Sequence, residues 1–279
     1  MFKSPIEWLK ELIHDLVKEF ADAAFSWLKI YMINPTDFEK YGFVGELYNW
    51  VFTISISIGI MFFIYNLFKV LIQQMGGYSQ RGTSEILVKA ITGTLLGIFA
   101  PFILKEVLLK LNNVWVEFII SKGINVDTLA KMITYPDTAG MALVITALVL
   151  AIMFLILAIQ YIIRTGELMV LFLFSSLAAV TSTNEDMNIW NVWWREAVAV
   201  VFQQSFQITI LWLIFNQIAG GKELKDYILA CGLMVIVIKG PGFLRKFLYS
   251  TGTGKMAVGA AGGAGKMAIY KYAATKMIK

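Results

Sequence analysis

The sequence predicts an all-α membrane protein: a polytopic bundle of five to six transmembrane helices, preceded by an amphipathic helix and followed by a basic arm. Its 279 residues are 58% hydrophobic and only 15% charged, with a mean hydropathy of +0.69, too little polar surface for a soluble domain of this length. Several stretches also reach the roughly 20 apolar residues that a helix needs to cross a hydrocarbon core about 30 Å thick. Tyr48, Trp50, Trp190, Trp193 and Trp194 flank such stretches, where amphipathic rings favour the headgroup level.

The first unit, residues 1–43, is built on an amphipathic helix. Ile6, Leu9, Ile13, Leu16, Phe20, Ala24 and Trp27 recur at three- and four-residue spacing, with Glu7, Lys10, Glu11, His14, Lys18 and Asp22 between them. Ser4-Pro5 supplies a cap and first turn, and Asn34-Pro35 ends the helix. It is expected to lie on the membrane surface or to pack on a partner helix.

Residues 44–248 form the transmembrane unit. Clear spans are 44–68, 139–163 and 196–218. A fourth, 86–104, holds Lys89, which must snorkel or pair with Glu85. In the same span Gly93 and Gly97 predict close helix packing, and Pro101 predicts a kink. The amphipathic stretch 105–120 that follows is expected at the interface. Two runs are short, 166–181 and 227–238, so each is either a thin crossing or a re-entrant segment. Six crossings place 18 basic residues on the cytoplasmic side and five outside, leaving Lys89 within a span. Five crossings without 227–238 give 13 and 10, so charge favours six.

The third unit, residues 249–279, is Gly/Ala-rich and basic, and is expected to be flexible or weakly helical. The formal net charge of +5 divides unevenly, since Lys239, Arg245, Lys246, Lys255, Lys266, Lys271, Lys276 and Lys279 come with no acid after residue 238. This cytoplasmic arm suits anionic lipid or a polyanion such as DNA. Thr251-Gly252-Thr253-Gly254-Lys255 has the end of a phosphate-binding loop but not its frame: Tyr249 stands where the first Gly is required and Met256 where Ser or Thr is required. Nucleotide hydrolysis is therefore rejected.

Polar residues inside a span are candidates for function because lipid offers them no partner. Gln203, Gln204 and Gln207 lie mid-span with Ser205, and Asn216 lies towards the far end. They fit either interhelical hydrogen bonding or a stripe lining a hydrated path. Arg164 and Glu167, three residues apart at the junction of two runs, predict an ion pair in a tight helical hairpin. His14 reads as a solvated face residue and Cys231 as a small hydrophobe. One Cys and one His exclude a disulfide framework and a structural zinc site. No cofactor or catalytic constellation is expected, and a small-molecule permease is the competing functional class.

The stretch from Gln160 to Asn216, QYIIRTGELMVLFLFSSLAAVTSTNEDMNIWNVWWREAVAVVFQQSFQITILWLIFN, is similar to the core of TrbL-like proteins, polytopic VirB-type subunits of conjugative type IV secretion systems. The shared features are a span ending in Arg, a short run closing on small residues, a polar loop leading to Trp and a basic residue, and a Gln-bearing span. KGPGFLRKFLYSTGTG, residues 239–254, resembles the end of that domain in Gram-positive elements. The resemblance covers residues 44–255. It implies a non-enzymatic subunit of the cytoplasmic membrane in a homo-oligomeric ring at the base of the translocation path. It further implies other secretion subunits, including secretion ATPases and a coupling protein, as partners, beside the membrane lipids and the transferred single-stranded DNA that the basic arm suits. Relatives are often drawn with five spans and an external amino end, against the count of six.

Overall fold

A computed structural model describes residues 5–37, 41–77, 83–123, 140–184, 187–218 and 223–276, with side-chain surroundings for all of these except 83–85, 217–218 and 251–276. Helix α1, Pro5–Leu28, runs into a π-helical turn, Lys29–Ile33. Helix α2 is Gly42–Met75. Helix α3, Thr83–Phe102, continues through a π-helical segment, Ile103–Leu109, into α4, Lys110–Ser121. Then come α5, Met141–Leu173, the short α6, Ser175–Val180, a 3-10 turn, Thr181–Thr183, α7, Trp190–Ile218, and α8, Leu224–Lys276. Among the described residues there is no strand.

Among the described residues five helices are long and apolar enough to cross a membrane: Gly42–Met75, Ile86–Ser121, Met141–Leu173, Trp190–Asn216 and Leu224–Ser250. The two short runs resolve differently. Residues 227–238 belong to a full-length candidate span because α8 does not stop at Lys239-Gly240-Pro241-Gly242. Residues 166–181 are no crossing. Their first half extends α5 past Gly166, and the remainder forms α6 and its 3-10 turn. Nor is 105–120 a separate interfacial helix, since the π-helical segment carries α3 into α4 without a break. The charge argument for six crossings falls with this layout, which puts 12 basic residues on the arm's side and 11 on the other, Lys89 aside.

The larger core joins α1, α4, α5, α7 and α8. α7 runs antiparallel to α5, with Trp193 Nε1 donating to Leu171 O at 3.0 Å and Gln207 Nε2 to Gln160 Oε1 at 3.2 Å. α8 runs parallel to α5, as Gln160 bonds Ile238 O and Glu167 bonds Arg245. α1 lies along α5 in the same direction, burying Val17, Ala21, Ala24, Phe25 and Leu28, with Phe25 edge-on to Phe154 at 5.3 Å. The buried face is turned from the one the spacing predicts, sharing Ala24 with it while Ile6, Leu9 and Trp27 are exposed, because the contact with α5 selects the side that is covered; the helix packs on a partner within the chain.

The smaller core gathers Ala100, Leu104, Leu108 and Leu109 with Leu168, Ala178, Ala179 and the start of α7. Here α6 is wedged between α2 and α3, and missing side chains make the room. A Cβ on Gly59 would stand 2.9 Å from Val180 Cγ1, one on Gly97 3.1 Å from Val180 Cγ2, and one on Gly93 2.2 Å from Thr183 Cγ2. Polar contacts pin both ends of the wedge: Tyr48 Oη bonds Ser176 Oγ at 2.9 Å, and Asn66 Nδ2 donates to Thr183 O at 2.7 Å.

Two outcomes test this arrangement. Gly93→Ala forces α6 away from α3 and should destabilise the detergent-solubilised protein by about 1–3 kcal/mol, whereas Gly166→Ala, with nothing within 4 Å of its Cβ position, should be neutral or stabilising by up to about 1 kcal/mol; thermal unfolding of the pair decides. An odd number of crossings also puts the chain ends on opposite sides. In a Cys231→Ala background, Ser4→Cys and Thr275→Cys should label oppositely with an impermeant maleimide on intact cells, and equal labelling would overturn the five-span layout.

Candidate functional site

Polar side chains buried between the spans converge on α7. Gln204 and Gln207 are fully buried, and Gln203 and Ser205 nearly so. Consecutive positions on a helix point around it, so the group serves two sides. Towards α1 and α4, Gln204 Oε1 accepts from Asn112 Nδ2 at 2.9 Å and from Thr36 Oγ1 at 3.3 Å. Gln204 Nε2 donates to Met32 O, a carbonyl left open where the π-helical turn ends. Ser205 Oγ donates to Asn112 Oδ1 at 2.6 Å. Towards α5 and α8, Gln203 Nε2 donates to Gln207 Oε1 at 3.4 Å, and Gln207 Nε2 reaches Val237 O at 3.0 Å besides Gln160.

The Val237 contact has a cause in the sequence. Pro241 brings no N–H to the carbonyl four residues earlier, which is that of Val237. Gln207 supplies the missing donor, and Gln160 Nε2 donates to the adjacent Ile238 O at 3.0 Å. Gly240 lets α8 come close enough, since a Cβ there would stand 2.8 Å from the Phe206 ring. Pro101 has the same effect on Gly97 O, and Ser176 Oγ of α6 answers it at 2.7 Å.

Arg164 is fully buried. Its Nε donates to Val200 O at 2.9 Å, Nη2 to Val201 O at 3.0 Å and Nη1 to Thr36 Oγ1 at 3.1 Å. The expected hairpin pair with Glu167 does not form, because α5 continues through Gly166 and carries Arg164 under α7. Glu167 instead takes Arg245 of α8, Nη2 to Oε1 at 2.8 Å, while Arg245 Nε holds Glu196 Oε2 of α7 at 2.9 Å. Tyr249 Oη donates to Glu196 Oε1 at 3.0 Å, and the Arg195 guanidinium lies 5.7 Å from the Tyr249 ring centre. Three helices are thus clamped at one end by partly exposed groups.

The remaining sequence candidates separate from this core. Asn216 is exposed and donates to Trp212 O of its own helix at 2.7 Å, so it does not join the glutamines. Lys239 and Lys246 are exposed on α8. The α8 backbone carries Lys255, Lys266, Lys271 and Lys276 in helix, so the arm extends the last span; Lys279 lies outside the described residues. Asn112, Gln160 and Thr36 were not singled out from sequence. Asn112 had a signal, falling in line with Leu108, Val116 and Ile119 on the apolar face of its helix. Among the described residues no group of three His, Cys, Asp or Glu side chains could hold a metal ion.

The family model described as conjugal transfer protein TrbL matches residues 6–276. The chain belongs to the TrbL family. No curated protein and no solved structure matches it. Membership covers the amphipathic helix and the arm as well as the spans, and assigns the chain to the conjugal transfer apparatus, a type IV secretion context, as a transport component. For this TrbL-family chain the buried groups hold helices together with their donors already engaged.

Removing a donor should therefore cost folding free energy. Arg164→Met removes three hydrogen bonds that tie α7 and Thr36 to α5, and Gln207→Leu strands Val237 O, each worth about 1–3 kcal/mol. Arg164→Lys should recover only part of the loss, because an ammonium on a flexible stem does not reproduce the guanidinium fork. Thermal unfolding in detergent ranks the three variants, and an unchanged Arg164→Met would refute the assignment.

Proposed function

We propose that the protein is a membrane scaffold and channel subunit of a conjugative type IV secretion system, contributing to DNA translocation across the cytoplasmic membrane. The observation that carries this reading is the family match across residues 6–276 on a chain whose described residues include five helices long and apolar enough to cross a membrane. The protein works as a homo-oligomeric ring beside secretion ATPases and a coupling protein. Its basic arm faces the cytoplasm, where the substrate strand and its motors arrive.

The geometry supports a particular division of labour. Gln203, Gln204 and Gln207 are buried against neighbours of the same subunit, which favours the packing role over a polar stripe inside one copy. A hydrated path then runs between copies, with each subunit a rigid wall. Electrostatics supplies the substrate contact through the lysines of the arm, held at a set distance by α8 and the Arg245 clamp.

Deleting the gene should abolish conjugal transfer, with restoration by the intact chain. Replacing Lys255, Lys266, Lys271, Lys276 and Lys279 by Gln should leave the oligomer intact and weaken binding to single-stranded DNA, lowering the slope of log affinity against log salt by about 0.7 per lysine that contacts phosphate. Fluorescence anisotropy across a salt series measures that slope, and mating frequency reports the consequence. An unchanged slope together with unchanged transfer would remove the arm from substrate handling.

A further inference from the structure

Above the α6 wedge, α2 and α3 enclose a cavity of about 560 Å³. Its walls are aliphatic and aromatic: Ile56, Ile60 and Phe63 from α2, and Ile91, Leu95 and Ile98 from α3, with Val180 of α6 at the floor. The rim is exposed, Ile60 at 56% and Ile91 at 59%. Both walls fall within the apolar runs 44–68 and 86–104, on two of the helices long and apolar enough to cross a membrane.

The hydroxyls in the lining decide what can enter. Ser55 Oγ donates to Val51 O at 2.7 Å, Thr94 Oγ1 to Ala90 O at 2.9 Å, Ser176 Oγ to Gly97 O at 2.7 Å and Thr183 Oγ1 to Val180 O at 2.8 Å. Each turns its proton into the backbone, and no charged side chain lines the space. A phosphate would find no donor here, and a nucleobase or a water molecule would lose most of its hydrogen bonds, since the hydroxyl oxygens can only accept. Left empty, the walls would forgo their dispersion contacts.

Shape narrows the occupant further. A helix about 10 Å across is a rigid cylinder, and to fill this space it would have to reach Val180 between the side chains of two walls, Ile56 and Ile60 on one and Ile91 and Leu95 on the other. A flexible single chain follows such walls. We infer that the cavity between α2 and α3 binds one acyl chain of a membrane phospholipid, which completes the packing of the hairpin against α6. The chain enters from the side and its headgroup stays outside the cavity.

The test uses the full-length protein in vesicles of phosphatidylcholine and phosphatidylglycerol, with a trace of phosphatidylcholine bearing a diazirine midway along one chain. Photolysis and peptide mass spectrometry should place adducts on Ile56, Ile60, Ile91 and Leu95 in about tenfold excess over Ile152 and Leu213, which are also exposed on membrane helices but do not line this cavity. Ala90→Phe projects a ring into the space and should remove that excess while leaving adducts at Ile152 unchanged. The wild-type ratio stands alone if the variant folds poorly. Uniform labelling of all exposed helix faces would mean surrounding lipid only and overturn the proposal. So would a protected cavity accompanied by α2–α3 cross-links between copies, which would make another subunit the occupant.

Discussion

In a helix that crosses hydrocarbon each backbone carbonyl has to find its donor within the protein, and a proline removes one donor by construction. This chain places prolines inside two of its five candidate spans, and in both the opened carbonyl is answered from a different helix. Gly97 O is met by Ser176 of α6, and Val237 O by Gln207 of α7. Such a bond fixes height as well as proximity. Sliding either neighbour along its partner by one residue would leave the carbonyl bare, at a cost of about 1–3 kcal/mol. The two prolines thereby set the register of α6 on α3 and of α7 on α8. The close approach each bond requires comes from nearby glycines, Gly93 and Gly97 in one case and Gly240 in the other.

Arg164 extends the same logic to a charged donor. A buried guanidinium is costly to desolvate, and here it is offset by three hydrogen bonds, two of them to consecutive carbonyls of α7. One of those carbonyls, Val201 O, is the ordinary acceptor for the N–H of Ser205, which also donates to Asn112 Oδ1 at 3.3 Å. Arg164 and Asn112 thus grip the same turn of α7 from opposite sides. Through Thr36 the grip reaches the segment that joins α1 to α2, so the amphipathic helix is tied to the bundle by a polar latch at its end as well as by its apolar face. Tyr161 Oη, one turn away on α5, is the buried side-chain polar atom left without a protein partner among the described residues.

The fold class was legible because membrane insertion writes itself into composition and run length. The apolar runs and the glycine pair follow from local spacing, as does the amphipathic character of α1, though not the face it buries. What sequence spacing misplaced were the points where a helix continues through an apparent break. Gly166 and Lys239-Gly240-Pro241-Gly242 carry the marks of a helix end, yet tertiary contacts supply what local propensity lacks, and α5 and α8 run on. That continuity turned Arg164 inward and sent Glu167 to Arg245, a partner 78 residues away that no local pattern announces. The glutamines were visible as unusual, but their partners Asn112, Gln160 and Thr36 come from three different elements. Only the packing brings them together.

Burial separates the spans into two kinds. In α7, 56% of the apolar stretch is buried within the subunit, against 17% for α2. The glutamines sit on the most enclosed helix, and a residue there can face a path only if the subunit opens around it. Opening would break bonds to Met32, Asn112, Gln160 and Val237 together, because one helix carries them all. The same enclosure makes α7 a rigid post. Its Glu196 and the Glu167 of α5 hold Arg245 at the end from which the basic helix departs. The helix that carries the arm therefore departs from a fixed base, while the lightly covered α2–α3 hairpin keeps most of its apolar surface outside the subunit's own packing. In a subunit built this way the polar groups of α7 are spent on holding its own helices, and what it offers outward lies on α2, α3 and the end of α8.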